Sequence, residues 1–259
     1  MRLLFPAVLL LTVVAYGVHH IKNKKKPVIM SKDEPAVQVP PTHIGNIPLP
    51  AGYKRMPVNN SFAGWLGKMK LVTNTTLLQH DRQTVKYQHG HYAIFDVPYN
   101  FEPLQQCADA VMRLRAEYIF ASKAQPAISF WHKPNQTFSI NSSCTRKQLE
   151  AFLRNVFAWC GSYNLQQQLY KKSITSIAAG DVFVRGGSPG HAMIVVDVAV
   201  NKKGERVFLL AQSFMPAQNI HVVKNIKDKQ LSPWYKTTGV IATPGYRFTA
   251  ADLKSWEQE

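Results

Sequence analysis

The sequence predicts an α+β fold, with helices early in the chain and antiparallel strands late. Three observations carry that expectation. Leu149, Phe152, Leu153, Val156 and Phe157 recur at helical spacing, Thr145 and Gln148 precede them as a capping box, and Gly161 follows as a stop. Residues 181–184, 191–200 and 206–214 are short runs rich in β-branched and apolar residues. Between the last two runs, Asn201-Lys202-Lys203-Gly204 is a turn signal, so they should form a hairpin.

Each element then follows in chain order. Residues 1–18 are an apolar run behind Met1-Arg2, read as a signal peptide or membrane anchor. Residues 19–45 are a basic, proline-rich linker. The basic stretch 19–26 would favour retention on the cytoplasmic side. An isolated apolar N-terminus followed by a linker favours export or tethering, so the expected location is the cell envelope, periplasmic or membrane-tethered. Residues 46–259 should form a single α+β domain. Ser61 can cap a short helix over 62–66, and 85–97 has strand character ending at Pro98. A helix opening near Pro103 should carry Cys107 and run to about 121. Residues 127–131 and 137–140 suggest two strands, 146–159 a helix, and 165–171 a shorter helix. A strand over 220–223 and a closing helix over 249–256 complete the reading.

Of the 259 residues, 46% are hydrophobic and 11% aromatic, which suits a packed core and excludes a disordered chain. The net charge of +16, from 31 Lys+Arg against 15 Asp+Glu, favours a polyanionic neighbour such as an acidic envelope polymer. Inside the folded part no block of like charge exceeds four residues and no nucleic-acid motif occurs, which argues against a nucleic-acid binder. Cys144 and Cys160 flank one helix and would stand roughly 24 Å apart at 1.5 Å per residue. A disulfide needs α-carbons within about 7 Å. They should not bridge, and Cys107 should be a free thiol. His89 and His91 share a strand face without a third ligand nearby, so no metal and no cofactor is expected. His132 and His221 look isolated, as surface or satisfied histidines.

The chemistry centres on two residues. Cys107 lies near a helix start, where backbone N–H groups and the helix dipole lower a thiol's pKa; a start at Pro103 would put it one turn in and weaken that effect. His191 opens a strand behind Gly186, Gly187 and Gly190, whose loop allows close approach of a substrate backbone. A thiol nucleophile and its base need such a pair. Asp197 shares the histidine's strand face but stands roughly 20 Å away along the strand, too far to orient it. If Val200 faces Glu205, Met193 faces Gln212, and the Gln212 side chain reaches the imidazole diagonally. A one-residue slip would bring Ser213 there instead. Gln106 is a candidate oxyanion donor beside the backbone N–H of Cys107, with Gly190 and Ser213 as further substrate-binding candidates. Asp109, Arg113 and Glu117 read as an ion-pair ladder on the helix face. Arg115 reads as partly buried against Asp96 or another carboxylate.

Gln106-Cys107 with Val111, Gly180-Asp181, Gly190-His191 followed by 192–196, and Gln212-Ser213 resemble the cysteine–histidine dependent amidohydrolase/peptidase domain and the related NlpC-like cell-wall peptidases. That resemblance implies a papain-like core, with the cysteine-bearing helix packed on a small antiparallel sheet. It also implies Cys107 as nucleophile, His191 as base and Gln212 as orienter. The segments 105–118, 180–198 and 210–218 further resemble an uncharacterised bacterial family, domain of unknown function 4846, which implies no activity. The expected function is a cysteine amidase or peptidase of the bacterial envelope acting on cell-wall peptide. The alternative is a non-catalytic envelope binding module of the same fold, favoured by an amide in place of a stronger third group.

Overall fold

A computed structural model describes residues 40–58, 61–98 and 103–257; the expectations for 1–18 and for the linker up to 39 lie outside these residues. Packing begins at Ile44, which is fully buried, slightly ahead of the expected start at 46. Strand β1 (Tyr53–Arg55), helix α1 (Phe62–Gly67) and strand β2 (His91–Ile94) lead to helix α2 (Cys107–Ser122). A ribbon of β3 (Ala127–Lys133) and β4 (Gln136–Asn141) precedes helices α3 (Arg146–Trp159) and α4 (Ser162–Gln168). Then come β5 (Tyr170–Lys171), β6 (Val182–Arg185), β7 (His191–Asn201), β8 (Arg206–Gln212) and β9 (His221–Val223). The short strands β10 (Tyr235–Lys236), β11 (Ile241–Thr243), β12 (Tyr246–Phe248) and β13 (Leu253–Ser255) follow. The fold is α+β, as expected.

The main sheet runs β2-β9-β8-β7-β6-β13-β5, with β1 added to β7 and β10 to β8, and its pairings are antiparallel. Strand β7 lies in the middle and is buried on both faces for most of its length, which is why its sequence is a nearly unbroken apolar run. Ala192, Ile194 and Val196 pack on the face shared with Ala110, Val111 and Leu114 of α2. Met193 and Val195 pack on the other face, with Phe183, Phe208 and Phe248.

Helix α3 spans the predicted 146–159. The Thr145 hydroxyl accepts from the Gln148 N–H at 3.3 Å, and the Gln148 side-chain oxygen accepts from the Thr145 N–H at 2.8 Å. Thr145→Ala is expected to cost about 1 kcal/mol, read from the denaturant midpoint.

The hairpin pairs in a register that changes along its length. Val200 faces Arg206, one residue off the expected Glu205. A bulge between Val195 and Asp197 then absorbs one residue of β7, so Val195 faces Leu210 and Ile194 faces Ala211. The bulge restores, at the histidine end, the alignment that brings Gln212 beside His191.

Several of the expectations need correction. Helix α2 begins at Cys107, not near Pro103. Strand structure within 85–97 is confined to 91–94, and α4 ends at Gln168, after which residues 170–171 are extended. Residues 249–256 do not close the chain as a helix. A 3-10 turn at Ala250–Asp252 leads into β13, which pairs with β6 and β5 and buries Leu253 and Ser255 around a half-buried Lys254. The open edge of β6 decides the conformation there, overriding local propensity. Arg115 is buried, with Glu257 in place of Asp96 as the carboxylate that favours its charge, and it sits in an aromatic cage. Its guanidinium carbon lies 5.1 Å from the Phe62 ring, 5.6 Å from Tyr118 and 5.2 Å from Trp256.

Candidate active site

Cys107 is the first residue of α2, and Gln106 is its N-cap. The N–H groups of a first turn have no intrahelical acceptor. Those of Cys107 itself and of Ala108 face the sulfur, together with the N–H of Ala192 in β7. Burial pushes the thiol above its ordinary range, and the Asp109 carboxylate adds to that; the three N–H groups pull it back down. The net direction is upward, so at neutral pH the resting group is a thiol.

Why is the Ala192 N–H free? The Val195 N–H donates to the Asp181 carbonyl at 2.8 Å, on the β6 side. Successive amides alternate in direction along a strand, so the Ala192 N–H points toward β8. The β7–β8 ladder ends at Ile194 and Ala211. Past that point β8 leaves β7, and Gln212 pairs with His221 of β9. The vacated notch is where the sulfur of Cys107 meets the amide.

The imidazole lies on the opposite face of β7. His191 shares the face of Met193 and Val195, and its ring lies 5.2 Å from the Phe214 ring, 5.0 Å from Tyr246 and 6.0 Å from Phe248, centroid to centroid. Its Nε2 is 2.7 Å from the Gln212 side-chain oxygen. Burial pushes its pKa below 6.5, and the Gln212 contact partly opposes this, so the ring is neutral at pH 7. Among the described residues no hydrogen bond joins the thiol directly to the imidazole. The structure therefore joins Cys107 to the strand residue next to His191, through the Ala192 N–H, and joins His191 to Gln212; the thiol lies on the α2 face, the ring on the aromatic face, and Cys107 and Gln212 line separate clefts.

The ladder expected along α2 exists only in part. Arg113 and Glu117 approach to 3.8 Å, and Glu117 accepts from Arg146 at 2.7 Å. Asp109 does not join them. It is buried, and its carboxylate accepts from the backbone N–H groups of Gln106, at 2.8 Å, and of Gln105. It thereby fixes the turn before Cys107, where Gln105 is held at φ +72° with its side-chain oxygen accepting from Arg113. Burial pushes the Asp109 carboxyl up to about 7, against the pull of those two N–H groups. An unfolded aspartate titrates near 3.9. Between these values the folded chain holds a proton that the unfolded chain has released. The stability this confers is complete below about pH 4 and is lost as pH rises to about 7. Asp109→Asn is expected to flatten that fall; denaturant midpoints measured across the window check it.

A cleft of about 530 Å³ opens beside the thiol, lined by Gln106, Cys107 and Asp109, by Trp159 to Ser162, by the loop Gly187 to Gly190, and by Met215. Among the described residues no lysine or arginine lines it. Trp159 and Met215, 63% and 67% exposed, give its rim an apolar character. Gln106 reaches the cleft with its amide only loosely held, at 3.5 Å from the Pro103 carbonyl. Gly190 has no room for a side chain, since a Cβ there would lie 2.3 Å from the Ser162 hydroxyl.

Ser213 is not part of this arrangement. It is fully buried, and its hydroxyl donates to the Gln218 carbonyl at 2.8 Å and accepts from the Gln218 N–H at 3.2 Å, stapling the loop after β8. His221, expected to be isolated, stands directly against Gln212, with 3.3 Å between its Nε2 and the Gln212 amide nitrogen. Its position across from Gln212 depends on how the eight residues 213–220 loop back, which no short-range pattern reveals. The three cysteines are free. Cys160 lines the same cleft, but burial pushes its thiol up to about 11. Among the described residues no cluster of metal-ligating side chains occurs, and no helix is long and apolar enough to cross a membrane.

A family model described as domain of unknown function (4846) matches residues 45–142 and 131–255. No curated protein and no solved structure matches the chain.

Proposed function

The chain belongs to the family described as domain of unknown function 4846, and we propose that it is a cysteine-dependent amidase or peptidase of the bacterial envelope. The observation that carries this reading is the notch: a thiol at a helix start accepts a backbone N–H one residue from an imidazole that is itself oriented by an amide. In this reading α2 on the central sheet corresponds to a papain-like core. Nδ1 of His191 takes the thiol proton as the sulfur attacks an amide carbonyl. The N–H of Cys107 and the Gln106 amide stabilise the oxyanion of the tetrahedral intermediate. The C–N bond breaks, the amine leaves with the proton from His191, and a thioester remains on Cys107. Water, deprotonated by His191, hydrolyses that thioester and returns the proton to the sulfur.

The substrate we favour is a cell-wall peptide. The apolar rim suits an uncharged segment next to the scissile bond, and the +16 charge suits adhesion to an acidic polymer away from the cleft. The apolar N-terminal run supports export or tethering to the membrane. Soluble cell-wall peptide fragments incubated with the protein, with products read by mass spectrometry, test the proposal. Amide cleavage that disappears in Cys107→Ser supports it, and cleavage undiminished in that variant overturns it. A second reading, a non-catalytic binding module, draws on the raised thiol pKa and on the lack of a direct thiol–imidazole hydrogen bond. Fragment binding that survives in Cys107→Ser, without cleavage by either protein, selects it.

A further inference from the structure

The orientation of the Gln212 amide can be deduced from its far neighbour. His221 Nδ1 lies 2.9 Å from the Asn219 carbonyl oxygen. A carbonyl only accepts, so Nδ1 carries a hydrogen. His221 is buried among neutral or basic neighbours: burial, with His91 on β2 and His191 on β7, pushes it down to about 4, so it is neutral at pH 7. Its Nε2 is then a bare acceptor. The group 3.3 Å away must be a donor, so the Gln212 amide turns its NH2 to His221 and its oxygen to His191. That oxygen, 2.7 Å from His191 Nε2, requires a hydrogen there. In a neutral ring this leaves His191 Nδ1 without one.

The opposite amide orientation would set an oxygen against the His221 lone pair. It would also present NH2 to His191 Nε2 and force the hydrogen onto Nδ1. A carboxylate in place of Gln212 would accept from His191 whichever way it turned. An amide does not, so it needs a partner that selects one orientation.

We propose that His221 is a positioning residue: held by the Asn219 carbonyl, it fixes the Gln212 amide and thereby keeps His191 in the tautomer whose Nδ1 is free to accept a proton. The value of that tautomer rests on the reading of His191 as a base, whereas the tautomer itself does not. Nitrogen-15 NMR of the wild-type imidazoles at neutral pH is the first measurement. The expected result is hydrogen on Nε2 of His191 and on Nδ1 of His221; any other pair overturns the proposal without recourse to a variant. In His221→Phe the two amide orientations should become comparable, so that about half of the His191 rings carry the hydrogen on Nδ1 and alkylation of Cys107 slows about two-fold. His221→Gln offers an amide that can donate to Asn219 and accept from Gln212, and should keep the wild-type tautomer. In the double variant Gln212→Glu/His221→Phe, the Nε2–H form should return. An unchanged His191 tautomer in a folded His221→Phe protein overturns the proposal and leaves the hydrolase reading intact. A tautomer set as expected, with a Cys107 indifferent to His191, does the reverse.

Discussion

At pH 7, His191→Ala is expected to slow alkylation of Cys107 by iodoacetamide about 10²–10⁴-fold, the usual contribution of a positioned base, while Cys144 is unaffected. The size follows from the state of the thiol. Burial raises its pKa above the ordinary value, and the N–H groups of Ala192, Ala108 and Cys107 reverse only part of that. Little thiolate therefore exists at neutral pH, and reaction depends on a base that removes the proton during attack. His191 is suited to this because burial keeps it neutral where a solvent-exposed histidine would already be partly charged. Cys160, pushed up to about 11, should remain unreactive in both proteins. Peptide mapping after timed labelling reads all three thiols at once. Equal rates at Cys107 with and without the imidazole would remove His191 from the chemistry.

Gly190→Ala is expected to destabilise the fold by about 1–3 kcal/mol and to distort the cleft. The added Cβ would lie 2.3 Å from the Ser162 hydroxyl, 2.5 Å from the Gly187 carbonyl and 3.0 Å from the Arg185 carbonyl. A hydroxyl can rotate away, but the Gly187 carbonyl belongs to the loop that forms one wall of the cleft and leads into His191, and the Arg185 carbonyl ends β6. Ser162→Ala combined with Gly190→Ala should therefore recover only part of the loss. Gly161→Ala is the control, since nothing lies within 4 Å of a Cβ there. Denaturant midpoints of the variants decide the point, and a Gly190→Ala protein as stable as the Gly161→Ala control would contradict the packing described.

How much of this was written in the sequence depends on the range of the forces involved. Helix α3 was legible to its ends because its capping box and its apolar spacing lie within one segment. The hairpin of β7 and β8 was legible from two apolar runs and a turn. Its register near the turn was not, because the bulge at Val196 arises from how β7 pairs with several neighbours. That the alignment at Gln212 came out as expected reflects two displacements that cancel. The start of α2 had a readable signal in Asp109, three residues beyond Gln106, which the proline at 103 outweighed. Strand β13 and the role of His221 had none, since both depend on partners far along the chain: the open edge of β6 in one case, the return of the loop after Gln212 in the other.

The pH dependence of Cys107 alkylation, compared between the wild type and His191→Ala, tests the pairing of thiol and imidazole most directly. In the wild type the rate should rise through an inflection below 6.5, where His191 loses its proton, and then level off. In His191→Ala that limb should vanish, and the rate should climb only above pH 9, where the buried thiol ionises unaided. Two superimposable profiles, both following the thiol alone, would contradict the account.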